Sequence, residues 1–162
     1  MKISDFEVSG SLLFDLEIPT LERLILLDAE LMIHSWSKKS WLESHKVKSH
    51  LVILLQKDEK ITGAILGRYN QECGIFDLDK IFIDRGYQSL GLGKKLILHL
   101  PTIINQVYGP CVKGIDVFLE VSNENTVAIN FYQKTGFSIV REVRKFYSDG
   151  TGAIIFKKMM SF

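Results

Sequence analysis

The stretch Gln88-Ser89-Leu90-Gly91-Leu92-Gly93-Lys94 follows the apolar run Ile81-Phe82-Ile83 and leads into a helical pattern of apolar residues. This order predicts a strand, a tight glycine turn and the start of a helix. Glycines let backbone N–H groups approach a ligand closely, and a helix N-terminus carries about half a positive charge. The stretch therefore predicts a site for a phosphate or pyrophosphate group.

Two common phosphate-binding motifs do not fit this turn. Counting back from Gly93-Lys94, Gln88 stands where a P-loop has its first glycine, and Lys95 replaces the required Ser or Thr. The glycines also lack the third member of the dinucleotide fingerprint. Taken alone, the turn leaves open a strand–helix connection without a ligand.

A second informative block lies about thirty residues further along the chain. It begins with Leu119-Glu120-Val121, which reads as part of a strand, and continues with Asn125, Ala128, Tyr132 and Gly136-Phe137. The spacing predicts a helix of about eleven residues from Asn125, which stops before a glycine suited to a helix C-terminus.

From Ile81 through Gly93 and from Glu120 through Phe137, the sequence resembles the GNAT superfamily of acetyl-CoA-dependent N-acetyltransferases. Within it, the chain is most similar to bacterial enzymes that acetylate the N-terminal alanine of a ribosomal protein. The resemblance implies one α/β (α+β) domain over residues 1–162. Its GNAT fold would have a mixed, mostly antiparallel sheet, helices on both faces and a V-shaped opening for acetyl-CoA. It also implies a cytoplasmic enzyme.

The resemblance assigns the acetyl-CoA site to the strand end and the glycine turn. Leu90 stands where relatives usually carry Arg, Gly or Lys, so Lys94 or Lys95 would supply the positive charge near the pyrophosphate. The implied cofactor-binding residues are Ile81, Phe82, Ile83, Gln88, Ser89, Leu90, Gly91, Leu92, Gly93, Lys94 and Asn125.

The chemistry of acetyl transfer suggests the catalytic residues. The attacking amine must be neutral, and a partly desolvated Glu120 can accept its proton directly or through a water. Tyr132, a phenol with a pKa near ~10, can donate a proton to the departing thiolate. In the resembling enzymes the matching residues have these roles. Asp79 is an alternative base, and it shares a face with Asp77 if their strand is regular.

The acceptor site is implied by the resemblance in Trp36 and in the closing hairpin, where Tyr147 follows Phe146. An α-amine with a pKa near ~8 is far easier to deprotonate than a lysine near ~10.4, which favours a protein or peptide N-terminus. Two alternatives stay open. One is a small amine such as a polyamine, an amino acid or an antibiotic, and the other is a non-catalytic coenzyme A-binding sensor.

Composition restricts the partners. The 162 residues carry 20 Lys and Arg against 19 Asp and Glu, so no strong basic field predicts nucleic-acid binding. No apolar run approaches the length of a membrane span. Cys73 and Cys111 are far apart and fit reduced thiols, while His45 and His50 have no metal-ligand spacing, so no metal is predicted. The chain is expected to be a monomer or a homodimer.

Local patterns predict further boundaries. A first strand is expected over Ile3–Val8, and a late strand over Phe137–Phe146. Ser37 is a plausible N-cap for a short second helix that ends near Lys46. Pro101 interrupts the helix after the glycine turn, so a kink or an early end is expected there.

Overall fold

The computed structural model describes residues 1–110 and 114–162, with seven strands and four α-helices. The strands are β1 Glu7–Leu12, β2 Leu51–Lys57, β3 Lys60–Asn70, β4 Ile75–Ile83, β5 Ile115–Ser122, β6 Ser138–Val143 and β7 Ala153–Met160. The helices are α1 Ile18–Leu31, α2 Lys38–His45, α3 Leu92–Tyr108 and α4 Thr126–Lys134.

The strands form one sheet in the order β1-β2-β3-β4-β5-β7-β6. Among the described residues, β4 and β5 form the parallel pair and all other neighbours are antiparallel. The parallel ladder covers Ile75–Asp77 and Asp116–Phe118 and does not extend to the end of either strand. The two strands part beyond it, which confirms the predicted mixed sheet and its V-shaped opening.

Helices cover both faces of this sheet, as predicted. Along β2, Leu51, Ile53 and Leu55 join the cluster that includes the buried face of α3. Val52 and Leu54 join the cluster under α1 and α2. Side chains alternate between the faces of a strand, so a continuous apolar strand can serve two cores.

A β-bulge interrupts the alternation in β4. Leu78 pairs with Gly67 and Lys80 pairs with Leu66, so Asp79 is an extra residue. As a result Leu78 and Ile81, three positions apart, both pack against the α3 cluster. The strand is therefore not regular, and the bulge places Asp79 and Lys80 next to each other on the face that carries α1 and α2.

Two predicted strand boundaries are wrong. Residues Ile3–Asp5 form a 3₁₀ turn, in which the Asp5 carboxylate accepts from the backbone N–H of Lys2, and the first strand starts only at Glu7. The late strand ends at Val143, and Lys145 then adopts a left-handed φ of 50° that a strand does not tolerate.

Of the two outcomes expected at Pro101, the early end does not occur, because α3 continues through this residue to Tyr108. A proline inside a helix costs about 3 kcal/mol. This helix buries seven residues along one face, among them Pro101 itself, and their packing offsets the lost hydrogen bond.

The other predicted helix ends agree better with the structure. Ser37 caps α2 by accepting from the backbone N–H of Ser40. Asn125 caps α4, which is nine residues long and is followed by Gly136 with a φ of 89°. Cys111 lies outside the described residues.

Candidate active site

A cleft of about 830 Å³ opens where β4 and β5 part. Its walls come from the end of α1 and the following loop, from β4, the glycine turn, β5, α4 and the β6–β7 connection. Fourteen of the predicted site residues line it: Trp36, Asp79, Ile81, Phe82, Ile83, Gln88, Ser89, Gly91, Leu92, Gly93, Glu120, Asn125, Tyr132 and Tyr147. Leu90 and Lys94 do not line it.

The glycine turn needs its glycines for two different reasons. Gly91 is the N-cap of α3 with a left-handed φ of 77°, and Ser89 also has a positive φ of 63°. A Cβ on Gly93 would lie 3.0 Å from the ring of Phe131 in α4, so the glycine permits close packing of two helices. The Gln88 side chain donates to the carbonyl of Ile83 at 2.9 Å and ties the turn to the strand.

Of the two lysines expected near the pyrophosphate, Lys95 is engaged elsewhere. Its ammonium donates to the backbone carbonyls of Ile3 and Phe6 and thereby holds the N-terminal segment. Lys94 is exposed and does not line the cleft, and Leu90 is half-buried against the core. The backbone N–H groups at the start of α3 add positive potential beside the turn.

Glu120 projects from β5 and lines the cleft. Partial desolvation raises its pKa above the ordinary glutamate value, and the nearby carboxylates of Asp77 and Asp79 raise it further. The Arg68 guanidinium lowers this pKa and opposes the shift. A carboxylate with a raised pKa is a stronger base than an ordinary glutamate, which suits it to accept a proton from an amine.

Asp79, the alternative base, is bound on two sides. Arg68 contacts both of its oxygens, with Nε 3.2 Å from Oδ2 and Nη2 3.0 Å from Oδ1. His50 Nε2 lies 3.6 Å from Oδ2, and burial lowers the pKa of this histidine. The bidentate contact engages both Asp79 oxygens with the guanidinium, whereas Glu120 makes no ion pair within the described residues, and this geometry favours Glu120 as the candidate base.

Tyr132 lies on α4 and is only 6% exposed. Its ring makes edge or tilted contacts with Phe131, Phe137 and Phe156. Burial raises the pKa of its phenol well above the ordinary value, so the group is protonated at neutral pH. The N-cap Asn125, which accepts from the backbone N–H of Ala128 at 3.1 Å, fixes the start of this helix beside the cleft.

Two segments meet across one end of the cleft. The imidazole of His34, from the α1–α2 loop, stacks on the phenol of Tyr147, from the β6–β7 connection. Their ring centroids are 3.9 Å apart and their planes are 2° apart. Trp36 and Phe146 line the cleft beside them. This end is largely aromatic and differs in character from the glycine-turn end.

Sequence reasoning missed a buried ion pair next to this aromatic end. Lys80 Nζ lies 2.9 Å from Asp28 Oδ1, and the two side chains are 1% and 0% exposed. Asp28 lies on the buried apolar stripe of α1, together with Leu21, Leu24 and Leu27. A charged residue at a buried stripe position was the available signal, since such a residue is almost never fully buried without a partner.

No group of three or more His, Cys, Asp or Glu side chains that could hold a metal ion occurs within residues 1–110 and 114–162. Cys73 is exposed and lies outside the cleft. In the described parts of the chain, no helix is both long and apolar enough to cross a lipid bilayer.

The model of the acetyltransferase (GNAT) family matches residues 15–137, which include β4, the glycine turn, β5 and α4. The chain belongs to this family. The family predicted from the sequence is thus confirmed, and the chain is a GNAT-type N-acetyltransferase with acetyl-CoA as its cosubstrate. The cleft fits acetyl-CoA, because it is lined both by a glycine turn at a helix N-terminus and by the carboxylate of Glu120.

Three curated relatives show different acceptors within the GNAT family. The ribosomal protein bS18-alanine N-acetyltransferase of Haemophilus ducreyi is 29% identical over 77% of this chain and 81% of its own length. The N-alpha-acetyltransferase of Sulfurisphaera tokodaii is 36% identical over 43% of the chain, which spans 39% of that protein. The spermine/spermidine N(1)-acetyltransferase of Bacillus subtilis is 36% identical over 41% of each chain.

A solved GNAT structure covers nearly the whole chain. The ribosomal-protein-S18-alanine N-acetyltransferase from Escherichia coli aligns with a TM-score of 0.76 and 25% identity, over 97% of this chain and 95% of that one. The predicted fold is therefore confirmed. The roles of individual site residues stay predictions.

Proposed function

We propose that this GNAT chain transfers the acetyl group of acetyl-CoA to the α-amine of a protein or peptide N-terminus. Glu120 is the general base and Tyr132 is the general acid. The observation that carries the proposal is that one cleft is lined by a glutamate of raised pKa, a protonated buried tyrosine and a glycine turn at a helix N-terminus.

The donor end is formed by β4 and the glycine turn. The backbone of Ile81 and Ile83 lines the cleft beyond the last β4–β5 ladder pair, so it is available to an extended ligand arm. The N–H groups around Gly91 and Gly93 bind the pyrophosphate. Acetyl-CoA supplies a thioester acyl group that is open to attack by a neutral amine.

Three proton movements accompany the reaction. Glu120 accepts a proton from the acceptor ammonium, directly or through a water, so that the nitrogen lone pair is free to attack. The bond between nitrogen and the acyl carbon forms and the bond between carbon and sulfur breaks. Tyr132 donates its phenolic proton to the departing sulfur. The second proton of the attacking nitrogen passes to the Tyr132 phenolate, directly or through water, so that a neutral amide, a free thiol and a protonated Tyr132 result.

We call the aromatic end of the cleft, where His34 stacks on Tyr147, the acceptor end. Its lining favours a single amine attached to an apolar group. Leu31, Met32 and Trp36 line this end. Of the carboxylates that the described residues contribute to the lining, Asp79 is bound to Arg68, which leaves Glu120 to face an amine. A polyamine carries several separated charges and is bound better by several unpaired carboxylates.

The test is an acceptor series with acetyl-CoA and the purified chain. We expect acetyl transfer to short peptides with a free N-terminus and none to the same peptides with a blocked N-terminus. Spermine, free amino acids and an aminoglycoside are the competing acceptors. Faster transfer to any of these would overturn the peptide acceptor, and binding of acetyl-CoA without transfer to any amine would support a sensor.

We propose a cytoplasmic location, and a monomer or homodimer that binds neither nucleic acid nor membranes. The near-neutral net charge of +1 supports this proposal. Size-exclusion chromatography with light scattering tests the oligomeric state.

A further inference from the structure

The buried ion pair of Asp28 and Lys80 joins α1 to β4 beneath the acceptor end of the cleft. Lys80 is the residue that the bulge at Asp79 turns toward α1, and its side chain also lines the cleft. Taking two charges out of water costs several kcal/mol per ion unless good hydrogen bonds compensate it. Joining α1 to β4 through this pair therefore costs more desolvation free energy than a contact between apolar residues would.

Both partners of the pair also hydrogen-bond to the short segment 34–36, and Asp28 accepts one further hydrogen bond from Trp41 in α2. Lys80 Nζ donates to the backbone carbonyl of His34 at 3.2 Å. Asp28 Oδ2 accepts from the backbone N–H of Trp36 at 2.8 Å and from Trp41 Nε1 at 2.8 Å. The loop from residue 34 to residue 36 is thus fixed at both ends by the two charged groups.

This segment carries two of the side chains that shape the acceptor end. The ring of Trp36 lies under Lys80 Nζ, with 5.1 Å between the nitrogen and the ring centroid. The ring of His34 stacks on Tyr147 across the cleft. A shift of the backbone at residues 34–36 therefore displaces the Trp36 ring, which lines the acceptor end, and also the stack of His34 on Tyr147.

We propose that Asp28 and Lys80 are positioning residues for the acceptor: the buried pair holds the segment 34–36 in the conformation that binds the acceptor amine beside Glu120. The inference rests on the proposed peptide acceptor. It assigns no proton transfer to Lys80, which acts only through the backbone of His34 and the ring of Trp36.

The test compares two ligands that differ only at the acceptor end. One is coenzyme A, and the other is a conjugate in which coenzyme A is joined through an acetyl group to the N-terminus of a short peptide. The ratio of their dissociation constants isolates the contribution of the peptide. It needs no turnover and is measured by calorimetry.

The main variant is the double substitution Asp28→Asn/Lys80→Met. A single substitution would leave an unpaired buried charge, whereas the double variant removes both charges. The asparagine keeps an oxygen that can accept from Trp36 and Trp41, but the donor to the His34 carbonyl is lost. We expect unchanged affinity for coenzyme A and an about tenfold smaller advantage of the conjugate.

A matched control uses an ion pair outside the cleft. Lys157 Nζ lies 2.8 Å from Asp116 Oδ2, between β7 and β5. The variant Asp116→Asn/Lys157→Met also removes one Asp–Lys pair, and we expect it to keep the wild-type ratio. If both double variants lower the ratio equally, the pair at Asp28 has a general structural role and the inference is wrong.

Fluorescence gives an independent readout, because Trp36 and Trp41 are the two tryptophans of the chain. The variant Trp41→Phe keeps both charges, removes one hydrogen bond to Asp28 and leaves Trp36 as the reporter. We expect a smaller fall in the ratio and a Trp36 emission that changes when the conjugate binds. This variant decides the question if the double variant does not fold.

The outcomes separate the two proposals. A wild-type chain that binds the conjugate no better than coenzyme A overturns the peptide acceptor and this inference with it. A wild-type advantage that survives in Asp28→Asn/Lys80→Met overturns this inference alone. An advantage that the variant loses while its affinity for coenzyme A is retained supports both.

Discussion

Arg68 donates hydrogen bonds to both carboxylate oxygens of Asp79, from Nη2 to Oδ1 at 3.0 Å and from Nε to Oδ2 at 3.2 Å. This ion pair lies on the face of the sheet from which Glu120 projects. The two partners have opposite effects on that glutamate. The carboxylate of Asp79 raises the pKa of Glu120, and the guanidinium of Arg68 lowers it. If Glu120 is the base, as we propose, the ion pair modulates its pKa.

This relationship predicts opposite shifts in the pH dependence of kcat at saturating substrates. Asp79→Asn removes a negative charge, so the pKa of Glu120 falls and the acidic limb of the profile moves to lower pH. Arg68→Met removes a positive charge, so the limb moves to higher pH. If Asp79→Asn abolishes turnover, Asp79 is the base. If both variants shift the limb in the same direction, the electrostatic effects assigned to this ion pair are wrong.

Glu120→Gln is expected to lower kcat by about 10²- to 10³-fold, because a positioned general base contributes about that factor. The acidic limb that Glu120 causes should also disappear from the pH profile. Glu124→Gln is a suitable control, since it changes an exposed glutamate that does not line the cleft. Wild-type turnover in Glu120→Gln would rule out this base.

The same substitution should stabilise the fold in a pH-dependent way. The folded-state pKa of Glu120 is raised, so the protonated form is favoured in the native state. Its stabilising contribution is present below the ordinary glutamate pKa of about 4.3 and is lost as pH rises through the raised value. The thermal midpoint of Glu120→Gln should match the wild type near pH ~4 and exceed it near pH ~8.

The sequence predicted the central part of the site because its motifs are local. A strand, a glycine turn and a helix start are specified by neighbouring residues. Glu120 and Tyr132 lie in a second local unit, the strand β5 and the helix α4 that follows it. The contact of Asp28 with Lys80 spans 52 positions and depends on a bulge. Strand alternation without the bulge gives no reason for Lys80 to face α1, so sequence periodicity could not place it.

The same distinction explains two features that local patterns do not reveal, the bonds of Lys95 and the continuation of α3 through Pro101. The bond from Lys95 to the N-terminal segment joins residues about ninety positions apart, and no local pattern reports it. The continuation of α3 through Pro101 depends on tertiary packing, which overrides local propensity. Local motifs could be predicted from the sequence. Hydrogen bonds, ion pairs and packing between residues far apart in the sequence could not.

Tyr132→Phe is expected to lower kcat about 10²-fold while the fold is retained. The phenylalanine ring keeps the contacts with Phe137 and Phe156, and only the proton donor is lost. Tyr108→Phe is the matched control, because burial also raises the pKa of Tyr108 and this residue lies outside the cleft. An equal loss in both variants, or none in Tyr132→Phe, would contradict the assigned role.

Gly91→Ala tests the pyrophosphate turn. An alanine at a φ of 77° is strained by about 1 kcal/mol or more, and its relief would rotate the N–H groups at the start of α3. We expect an about tenfold weaker affinity for coenzyme A in calorimetry. Gly109→Ala imposes the same kind of strain at a φ of 91° at the other end of α3, so it should lower stability and leave the affinity unchanged.

His34→Ala tests the stack that closes the acceptor end. Aromatic pairs contribute about 0.5–1.5 kcal/mol beyond area burial, so the loss of the partner of Tyr147 should raise the KM of a peptide acceptor about two- to tenfold. The KM of acetyl-CoA and kcat should stay unchanged, because His34 touches neither Glu120 nor the glycine turn. His34→Phe restores a flat ring and should recover most of the lost affinity. If His34→Phe is as impaired as His34→Ala, the imidazole contacts the acceptor through its nitrogens, and the stack with Tyr147 does not determine acceptor affinity.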